Sequence, residues 1–364
     1  MLNLTATEAL QLVQQHWQIS GDISELPSYA DRNFKISSTD GTYVFKIANP
    51  NWSYVDLDIE NAALLHLEKT CPDLALPKVL LSQQGLHIIP LRLTPSGGAN
   101  SAEATTQLCH MRLLTFVEGE VYAKVAQDPA VDFNALETSL GIAIGKLDRG
   151  LQDFEHPAMN RYVDWSISNL PTLADEIEHI EDLHLRQLVS QHTHYFAQHE
   201  AEWKSQLPMA VIHNDANDFN VIVAREVTAA SLTNTSKIEV NAIIDFGDMC
   251  RHLRVVDLAI TIVYALQHAE EPKRIQDCML AILGGYQAVH PLTQAELLVL
   301  PALILARLSQ SVLMATRAYR KNPENDYIMV SQVGVRRLLK QFDEMGQAPL
   351  QALVLSVLSV HNVP

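Results

Sequence analysis

The spacing of hydrophobic residues along the chain changes character near Gly119. Before that point, apolar and polar positions alternate in short runs, which is the period of β-strands. Two of these runs, Asn33 to Ile36 and Thr42 to Ile47, flank a Thr39-Asp40-Gly41 turn. An Asp-Gly turn supplies the positive φ angle that a tight hairpin needs, so the pattern predicts a β-hairpin here.

Helices and further strands complete the predicted first part. Thr5 and Glu8 form a T-x-x-E capping box ahead of one helix. The other predicted elements are a helix over Asp58 to Glu68, strands over Pro77 to Ser82, Leu86 to Ile89 and Gln107 to Val117, and a flexible loop over Thr94 to Ser101. The pattern up to about residue 113 therefore predicts a mostly antiparallel sheet with an inserted helix.

Beyond Gly119 the hydrophobic residues recur at helical spacing. The predicted helices are Ala135 to Leu151, Leu173 to His199, Arg254 to Gln267, Ile275 to His290 and Gln294 to Tyr319. One strand pair interrupts them, Asn220 to Ala224 and Ile238 to Ile244, around a polar loop over Thr228 to Lys237. The pattern predicts an α+β fold with two lobes, a small antiparallel β lobe over residues 1–113 and a large, mainly helical lobe over residues 114–364.

Composition narrows the class of protein. The 364 residues are 48% hydrophobic and carry a formal net charge of −16. A chain this acidic lacks the basic patches that bind nucleic-acid backbones, although its charge is compatible with a cationic small substrate. The N-terminus lacks the basic region of a signal peptide, and the apolar run Leu297 to Leu308, which contains Pro301 and Arg307, is too short to span a bilayer. We therefore predict a soluble, cytoplasmic protein with no nucleic-acid or membrane partner.

The segment His213 to Asn220 fits the pattern H-x-D-x-x-x-x-N, which is the spacing of a kinase catalytic loop. In such a loop, one carboxylate orients the attacking hydroxyl, and one amide oxygen at a fixed distance ligates Mg²⁺. Asp215 is the candidate for the first role and Asn220 for the second.

A second short motif, Asp245-Phe246-Gly247, follows the apolar strand Ala242 to Ile244. An aspartate at the end of a buried strand is a natural Mg²⁺ ligand that faces a triphosphate. Each motif alone is a weak signal, but their order along the chain, with a predicted β-hairpin between them, strengthens both.

Lys46 lies inside the apolar strand Thr42 to Ile47, where a charged residue is unexpected. A kinase uses such a lysine to hold the α- and β-phosphates, fixed by a glutamate of the following helix, for which Glu60 is the candidate. The alternative is a solvated lysine on an edge strand. The sequence lacks G-x-G-x-x-G, and the turn from Leu26 to Phe34, which includes Ser28, is either a phosphate-capping loop or an ordinary loop.

Several strings of the sequence are similar to one known family. They are Leu26 to Phe34, Arg112 to Phe116, Gly145 to Gln152, His213 to Asn220, Ile244 to Met249 and Val256 to Ile262, with a further similar string at Ala306 to Gln310. These strings resemble the aminoglycoside phosphotransferase and choline kinase superfamily, and within it the hydroxylysine kinases most closely. The resemblance implies a bilobal, protein-kinase-like fold.

The resemblance also implies a reaction and its site. It implies GTP or ATP as the phosphoryl donor, Mg²⁺ as the cofactor, and the hydroxyl of 5-hydroxylysine or a similar amino alcohol as the acceptor. It implies that the purine base packs against Arg112 to Val117, a segment that includes Thr115. It implies that His213 and Asp257 support the catalytic loop. The alternative for Asp257 is a carboxylate that only stabilises a helix N-terminus.

One residue departs from the family pattern. The family usually has glycine between the histidine and the aspartate of the catalytic loop, and this chain has Asn214. If that position requires a positive φ angle, asparagine is the next most tolerant residue. We therefore expect the loop to keep its shape.

An acceptor that carries an ammonium group requires carboxylates near the catalytic residues. Asp218 and Asp248 are the candidates, while Asp148 and Asp164 read better as solvated acids on helix faces. The leading hypothesis is a phosphotransferase that acts on the hydroxyl of a small, amine-bearing acceptor. The alternatives are a catalytically weak nucleotide-binding regulator, an aminoglycoside- or choline-type kinase with a different acceptor, and a protein kinase, which the missing A-P-E signature disfavours. The sequence leaves the oligomeric state open.

Overall fold

The computed structural model describes residues 4–28, 31–93, 106–226, 237–324 and 332–360. The chain divides into two compact units, Met1–Glu118 with His156–Ala158, and Gly119–Glu155 with Met159–Pro364. The boundary between residues 113 and 114 stays a prediction; the strand that contains it ends at Thr115. The loop predicted over Thr94 to Ser101, and all but the last residue of that over Thr228 to Lys237, lie outside the described residues.

A five-stranded antiparallel sheet forms most of the first unit. Its strands are β1 (Asp22–Leu26), β2 (Arg32–Ser38), β3 (Gly41–Ile47), β4 (Ile89–Leu93) and β5 (Gln107–Thr115), in the spatial order β1-β2-β3-β5-β4. The pair β2–β3 is the predicted hairpin. Phe34, Ile36, Phe45 and Ile47 alternate along these two strands and are fully buried, so their common face lines the core of this unit.

Two capped helices accompany the sheet. They are α1 (Ala6–Trp17) and α2 (Tyr54–Thr70), and each begins with a capping box, formed by Thr5 with Glu8 and by Ser53 with Asp56. The prediction of the first capping box is therefore confirmed. The buried side of α1 packs against the core face of the sheet, where the Trp17 ring meets the Phe45 ring edge-on at 5.9 Å.

Two predicted strands of this unit are wrong. Pro77 to Ser82 forms no strand and makes a single bridge between Val79 and Leu114. Of the predicted strand Leu86 to Ile89, only Ile89 is in a strand, as the first residue of β4. The reason lies in β5, because β4 pairs only with its Gln107–Met111 part. The backbone of Lys78 to Leu80 pairs with the remaining residues of β5, over too short a length to count as a strand.

Helices dominate the second unit. They are α3 (Tyr122–Val125), α4 (Phe133–Leu151), α5 (Leu183–Gln206), α6 (Val255–Leu266), α7 (Pro272–Val289), α8 (Gln294–Lys321), α9 (Gln332–Met345), α10 (Gln347–Leu355) and α11 (Val357–Val360), with 3₁₀ helices at Ile167–His179 and Phe246–Asp248. The predicted helices that correspond to α4, α6, α7 and α8 are confirmed to within a few residues. A mainly antiparallel first unit and a mainly helical second unit confirm the α+β class.

The helix predicted over Leu173 to His199 is wrong as a single element. The structure has the 3₁₀ helix that ends at His179, a short break, and then α5, whose N-cap is Asp182. The Asp182 side chain accepts a hydrogen bond from the backbone N–H of Leu185 and so starts a new helix. Hydrophobic residues recur at helical spacing both before and after the break, so the sequence pattern does not indicate where the first helix ends.

Short strands of the second unit place the loops of the site. They are β6 (Glu120–Val121), β7 (Met209–Ile212), β8 (Val221–Glu226), β9 (Lys237–Ile243) and β10 (Cys250–Leu253). The predicted pair β8–β9 is confirmed, whereas β6, β7 and β10 are too short for their periodicity to be recognised. β7 ends just before His213 and pairs with β10, which begins just after the 3₁₀ helix at Phe246. This pairing holds the two predicted motifs side by side.

α8 is the one helix among the described residues that is long and apolar enough to cross a membrane. However, 72% of its most apolar stretch is buried inside the protein, as in the core helix of a folded domain. Arg307 lies in the middle of this helix and is 1% exposed.

Candidate active site

The predicted catalytic loop lies between β7 and β8. The Asp215 Oδ2 atom accepts hydrogen bonds from the amide Nδ2 atoms of Asn217 at 3.0 Å and Asn220 at 2.8 Å. The same Asn220 Nδ2 atom also donates to the backbone oxygen of Asp215 at 2.9 Å. Both hydrogen bonds that Asn220 Nδ2 donates are therefore directed at Asp215. The Oδ1 atom of Asn220 is the atom of this side chain that is suited to ligate a cation.

Asp257, at the start of α6, holds the backbone of this loop. Its two carboxylate oxygens accept hydrogen bonds from the backbone N–H groups of His213 and Asn214, each at 2.6 Å. Such short bonds to a charged acceptor are strong. These two bonds fix the loop at the two residues that precede Asp215, and the supporting role that the family resemblance implies for Asp257 stays a prediction.

His213 connects the loop to the second motif. Its ring Nε2 atom lies 3.1 Å from the carbonyl oxygen of Ile244, and its Nδ1 atom accepts a hydrogen bond from the backbone N–H of Asp215 at 3.3 Å. In the neutral form of the imidazole, these partners place the ring proton on Nε2. The ring also meets the buried Phe246 ring edge-on at 4.7 Å. His213 thus ties Asp215 to the residues on either side of Asp245.

Asp148 is neither a substrate ligand nor the solvated acid that its helical position predicts. It is 4% exposed on α4, and its Oδ2 atom accepts a hydrogen bond from the Tyr286 hydroxyl at 2.7 Å. Burial, and then repulsion by the neighbouring Asp257, raise the pKa of Asp148 well above its ordinary value. Burial also raises the pKa of Asp257, but the backbone donors of His213 and Asn214 oppose that increase, so Asp148 is the member of this pair that binds a proton more strongly.

Asn214 adopts the backbone conformation that glycine provides in the family. Its φ angle is +66°, in the left-handed region that asparagine tolerates better than most side chains. The side chain is fully buried, and neither its Oδ1 nor its Nδ2 atom has a hydrogen-bond partner within the described part of the chain. The loop therefore keeps its shape with asparagine, at the cost of burying a polar amide.

We expect Asn214→Gly to raise the free energy of unfolding by about 1 kcal/mol. Removing the buried, unpaired amide should raise the free energy of unfolding by roughly 1–3 kcal/mol. The greater conformational freedom of glycine in the unfolded chain should lower it again by about 0.5–1 kcal/mol. Urea unfolding of both proteins measures the difference.

Gln18→Gly is the matched control for Asn214→Gly, because Gln18 is exposed and also has a positive φ angle, +58°. Since asparagine tolerates this conformation better than glutamine, relief of backbone strain alone would favour the Gln18 variant. A larger gain at Gln18 than at Asn214 would contradict the buried-amide explanation.

The Asp245-Phe246-Gly247 motif forms a tight turn after β9. Asp245 has φ +64° and precedes the 3₁₀ helix Phe246–Asp248. A left-handed aspartate is a strained conformation that recurs at functional sites. Arg161 holds this turn by donating to the backbone oxygens of Gly247 and Met249, the latter at 3.1 Å. The carboxylate of Asp245 is thereby held on a braced turn.

Charged neighbours surround the Asp215 carboxyl. Burial raises its pKa to about 7, and the Arg307 guanidinium is the strongest opposing influence. The carboxylates of Asp248 and Asp245 add to the increase. Within the second unit, Asp248 and Asp245 are therefore near enough to Asp215 to affect its pKa, Asn220 is hydrogen-bonded to it, and the buried Arg307 guanidinium lies 3.7 Å from its Oδ1 atom.

Asp218, the other predicted acceptor ligand, already has a partner. Its Oδ2 atom lies 2.7 Å from the Nε2 atom of His268, and its side chain is 13% exposed. An acceptor ammonium that reached Asp218 would share this carboxylate with His268.

Lys46 and Glu60 lie in the first unit, in a charged cluster that also contains Arg112; Glu60 and Arg112 are buried and Lys46 is half-buried. Lys46 lies on β3 directly opposite Arg112 on β5. The Arg112 Nη2 atom donates to the Glu60 carboxylate, and its Nη1 atom donates to Asn61 Oδ1 at 3.2 Å. Lys46 is also the strongest influence lowering the pKa of Asp31, which burial raises. Glu60 thus has a buried partner, Arg112, that the sequence interpretation did not identify.

The two remaining predicted nucleotide ligands lie in the same unit. The Thr115 hydroxyl accepts a hydrogen bond from the backbone N–H of Lys78 at 2.9 Å, at the end of β5. Ser28 is exposed just after β1. Their contact with a nucleotide stays a prediction.

Three residues that the sequence interpretation did not assign to the site hold its loops or its predicted members. They are Arg161, Asn217 and Arg307. Signals existed for two of them, because Asn217 lies inside the catalytic-loop string and Arg307 is a charged residue in an apolar helix and within one of the family-like strings. Nothing in the spacing distinguishes Arg161 from a surface residue.

The donor set fits a magnesium ion that is held jointly with phosphates. Among the described residues, no group of three or more His, Cys, Asp or Glu side chains is arranged to hold a metal ion. Mg²⁺ usually takes one or two protein carboxylates together with phosphate oxygens and waters. The Asn220 amide oxygen and the Asp245 carboxylate are suited to that arrangement.

Known proteins are similar to this chain in sequence or in fold. The chain is 27% identical to the hydroxylysine kinase of Mus musculus over 347 residues, covering 91% of this chain and 87% of that protein. Its structure matches the amicoumacin kinase hAmiN, solved with AMP-PNP, Ca²⁺ and Ami, with a TM-score of 0.66 at 14% identity over 92% of this chain and 93% of that one. A microcompartment-associated aminopropanol kinase also gives a TM-score of 0.66, at 16% identity, over 92% and 96% of the two chains.

These matches confirm the predicted kinase-like fold. The model of the APH phosphotransferase enzyme family matches residues 22–292, which include the catalytic loop, the Asp245 turn and Asp257. By this match the chain belongs to the APH phosphotransferase enzyme family.

Proposed function

We propose that this phosphotransferase transfers the γ-phosphoryl group of ATP or GTP to the hydroxyl of a small amino alcohol of the hydroxylysine type. The observation that carries the proposal is the Asp215 carboxylate, braced by Asn217 and Asn220 in a loop that Asp257 holds. Similarity to a hydroxylysine kinase over 91% of the chain supports the choice of acceptor.

Each residue has a distinct task in this proposal. Asp215 accepts a hydrogen bond from the acceptor hydroxyl and orients it for attack. Asn220 and Asp245 ligate Mg²⁺, which supplies charge neutralisation for the triphosphate when bound. Positioning and electrostatics account for most of the rate in such enzymes, so a preformed loop is the main requirement.

Binding of the nucleotide is assigned to the first unit. Lys46 neutralises the phosphates. Glu60, which is held by Arg112, contributes to the electrostatic surroundings of Lys46. Thr115 and Ser28 are proposed to contact the base and the phosphates, respectively. The amicoumacin kinase was solved with AMP-PNP, which supports a nucleoside triphosphate donor here.

Asp248 and Asp218 are the proposed ligands of the acceptor ammonium. Asp248 lies near Asp215, as its effect on the Asp215 pKa indicates. The surplus of acidic residues, with a formal net charge of −16, is compatible with a cationic acceptor. We further propose a cytoplasmic location, with no nucleic-acid or membrane partner.

A phosphorylation screen tests the function. ATP and GTP, each with Mg²⁺, are incubated with hydroxylysine, ethanolamine, choline, threonine, homoserine and an aminoglycoside, and the phosphorylated product is identified by mass spectrometry. Turnover of hydroxylysine well above the other acceptors supports the proposal. Preferential turnover of choline or the aminoglycoside would assign the chain to another acceptor class within the same family.

The second candidate function is a catalytically weak nucleotide-binding regulator. Its basis in the sequence is Asn214 and the missing glycine-rich loop. The left-handed conformation of Asn214 preserves the hydrogen bonds from the loop to Asp257, which favours a working loop. Mg²⁺-dependent nucleotide binding in a thermal-shift assay, with no acceptor phosphorylated, would favour the regulator.

We expect Asp245→Asn to weaken nucleotide binding in the presence of Mg²⁺ by about 2 kcal/mol, roughly 30-fold in Kd, because it removes the charge that holds the cation. Asparagine is chosen because it tolerates the φ angle of +64° at this position. Isothermal titration with and without EDTA makes the measurement. In EDTA the two proteins should bind alike; an equal loss in both conditions would contradict a metal-ligating role.

A further inference from the structure

Arg307 is a buried arginine at the middle of α8, with 1% of its side chain exposed. Burying a guanidinium is unfavourable unless its donors are matched by acceptors. Its Nη1 atom donates to the backbone oxygen of Trp165 at 2.6 Å and to Gln310 Oε1 at 3.2 Å. Its Nη2 atom donates to the Tyr264 hydroxyl at 3.4 Å. Three groups therefore hold the two Nη atoms, while Nε has no hydrogen-bond partner within the described part of the chain.

Aromatic rings restrict the guanidinium further. Its central carbon lies 5.0 Å from the Trp165 ring centroid and 5.7 Å from the Tyr264 ring centroid. Stacking of this kind is favourable for arginine and limits its rotation. A cation with these contacts is a rigid part of the second unit.

The same Nη2 atom lies 3.7 Å from Oδ1 of Asp215. The other oxygen of this carboxylate, Oδ2, receives both amide donors, from Asn217 and Asn220. The two oxygens of Asp215 are thus distinguished: Oδ2 is saturated by hydrogen bonds, while Oδ1 faces a cation just beyond hydrogen-bond distance. Oδ1 therefore retains capacity to accept another hydrogen bond.

We propose that Arg307 is a positioning residue that fixes the rotation of the Asp215 carboxylate, so that Oδ1 is the oxygen that accepts the hydrogen bond from the acceptor hydroxyl. This inference rests on the proposed function, because it takes Asp215 as the residue that orients the hydroxyl. Without the guanidinium, Oδ1 has no fixed charge on its side and the carboxylate turns about its amide-bound oxygen.

The burial of Arg307 argues that it acts through Asp215 and not on the acceptor. A side chain with 1% exposure offers almost no surface to a ligand, and both of its Nη atoms are already used. Loss of Arg307 should therefore change the geometry of the reacting oxygen more than the affinity for either substrate. Misplacement of a reacting group by about 1 Å can cost roughly 100-fold in rate.

Steady-state kinetics of Arg307→Met and Arg307→Lys test the proposal, with the best acceptor of the wild-type protein. Arg307→Met should lower kcat by about 100-fold while both KM values stay near those of the wild type. Arg307→Lys keeps the charge but loses the planar fork, so its kcat should fall between the two. Added guanidinium chloride, below denaturing concentration, should restore part of the activity of Arg307→Ala.

Arg274→Met is the matched control. Arg274 is also a partly buried arginine of the second unit that binds a buried carboxylate, Glu137, and lies 4.5 Å from the Phe133 ring centroid. Its loss should leave kcat unchanged, and guanidinium should not stimulate Arg274→Ala. If Arg307→Met behaves like Arg274→Met, or raises the acceptor KM with an unchanged kcat, the positioning role is overturned.

A second measurement does not depend on turnover. Urea unfolding midpoints of Arg307→Met, Asp215→Asn and the double variant should be non-additive, with a smaller combined shift than the sum, because each change removes the same ion pair. Additive shifts would overturn the inference. Should Arg307→Met fail to fold, Arg307→Lys takes its place in the same cycle. If the wild-type protein phosphorylates no acceptor, the proposed function fails, while this cycle still decides whether Arg307 holds Asp215.

Discussion

Asp215→Asn is expected to lower kcat by about 10²–10⁴-fold while leaving nucleotide affinity near its wild-type value. The asparagine side chain has the same size, and its oxygen still accepts the hydrogen bonds from Asn217 and Asn220 that hold Asp215 now. What is lost is the negative charge that orients the acceptor hydroxyl and accepts its proton. Turnover of the preferred acceptor and calorimetric titration with the nucleotide measure the two quantities separately.

The control for Asp215→Asn is Asp153→Asn, which removes the same charge from an exposed residue of the second unit. It separates the local effect from the general effect of a changed net charge. Wild-type turnover in Asp215→Asn would show that another group orients the hydroxyl. An equal loss of nucleotide affinity and turnover would indicate that the loop, and not the charge, had been damaged.

Features encoded by neighbouring residues were predictable from the sequence. The capping box of Thr5 and Glu8, the β2–β3 hairpin and the H-x-D-x-x-x-x-N loop each depend on residues a few positions apart. The conformation of Asn214 belongs to the same class, because a family position that favours glycine indicates a positive φ angle. Local chemistry of this kind is expressed directly in residue order.

Elements decided by distant partners were not predictable. The segment Lys78 to Leu80 has the composition of a strand. However, β4 pairs with Gln107–Met111 of β5, and the few remaining residues of β5 allow this segment only a single bridge. β7 and β10 have only four residues each, too few for a period to emerge, and each exists because the other lies beside it. In such cases tertiary pairing decides the structure, and propensity does not.

Buried charges were the least predictable part of the site. Asp148 was expected to be a solvated acid on a helix face, yet α4 buries it where Asp257, more than 100 positions away, raises its pKa. Glu60 was expected to serve Lys46, and nothing in the sequence indicated that Arg112, the strand neighbour of that lysine, would bind Glu60. A sequence identifies which residues carry charge, whereas the partner of a buried charge depends on how distant elements pack.

Arg112→Met is expected to lower the free energy of unfolding by about 3–5 kcal/mol, because it leaves the Glu60 charge buried without its partner. The two side chains are only 2% and 7% exposed, so water cannot replace the lost guanidinium. The substitution also leaves the Asn61 Oδ1 atom without the hydrogen bond that it receives from Arg112 at 3.2 Å. Urea unfolding followed by circular dichroism measures the change.

Two further variants show whether this loss comes from an uncompensated charge. Arg32→Met removes an arginine from a pair with Glu25 that is 18% and 52% exposed, and it should cost less than about 1 kcal/mol. Adding Glu60→Leu to Arg112→Met should recover much of the lost stability, since a buried pair replaced by apolar side chains is often neutral. The double variant could instead be less stable than Arg112→Met. That outcome would show that the buried Glu60 carboxylate without its partner is not the cause of the lost stability, and that the ion pair itself stabilises the first unit.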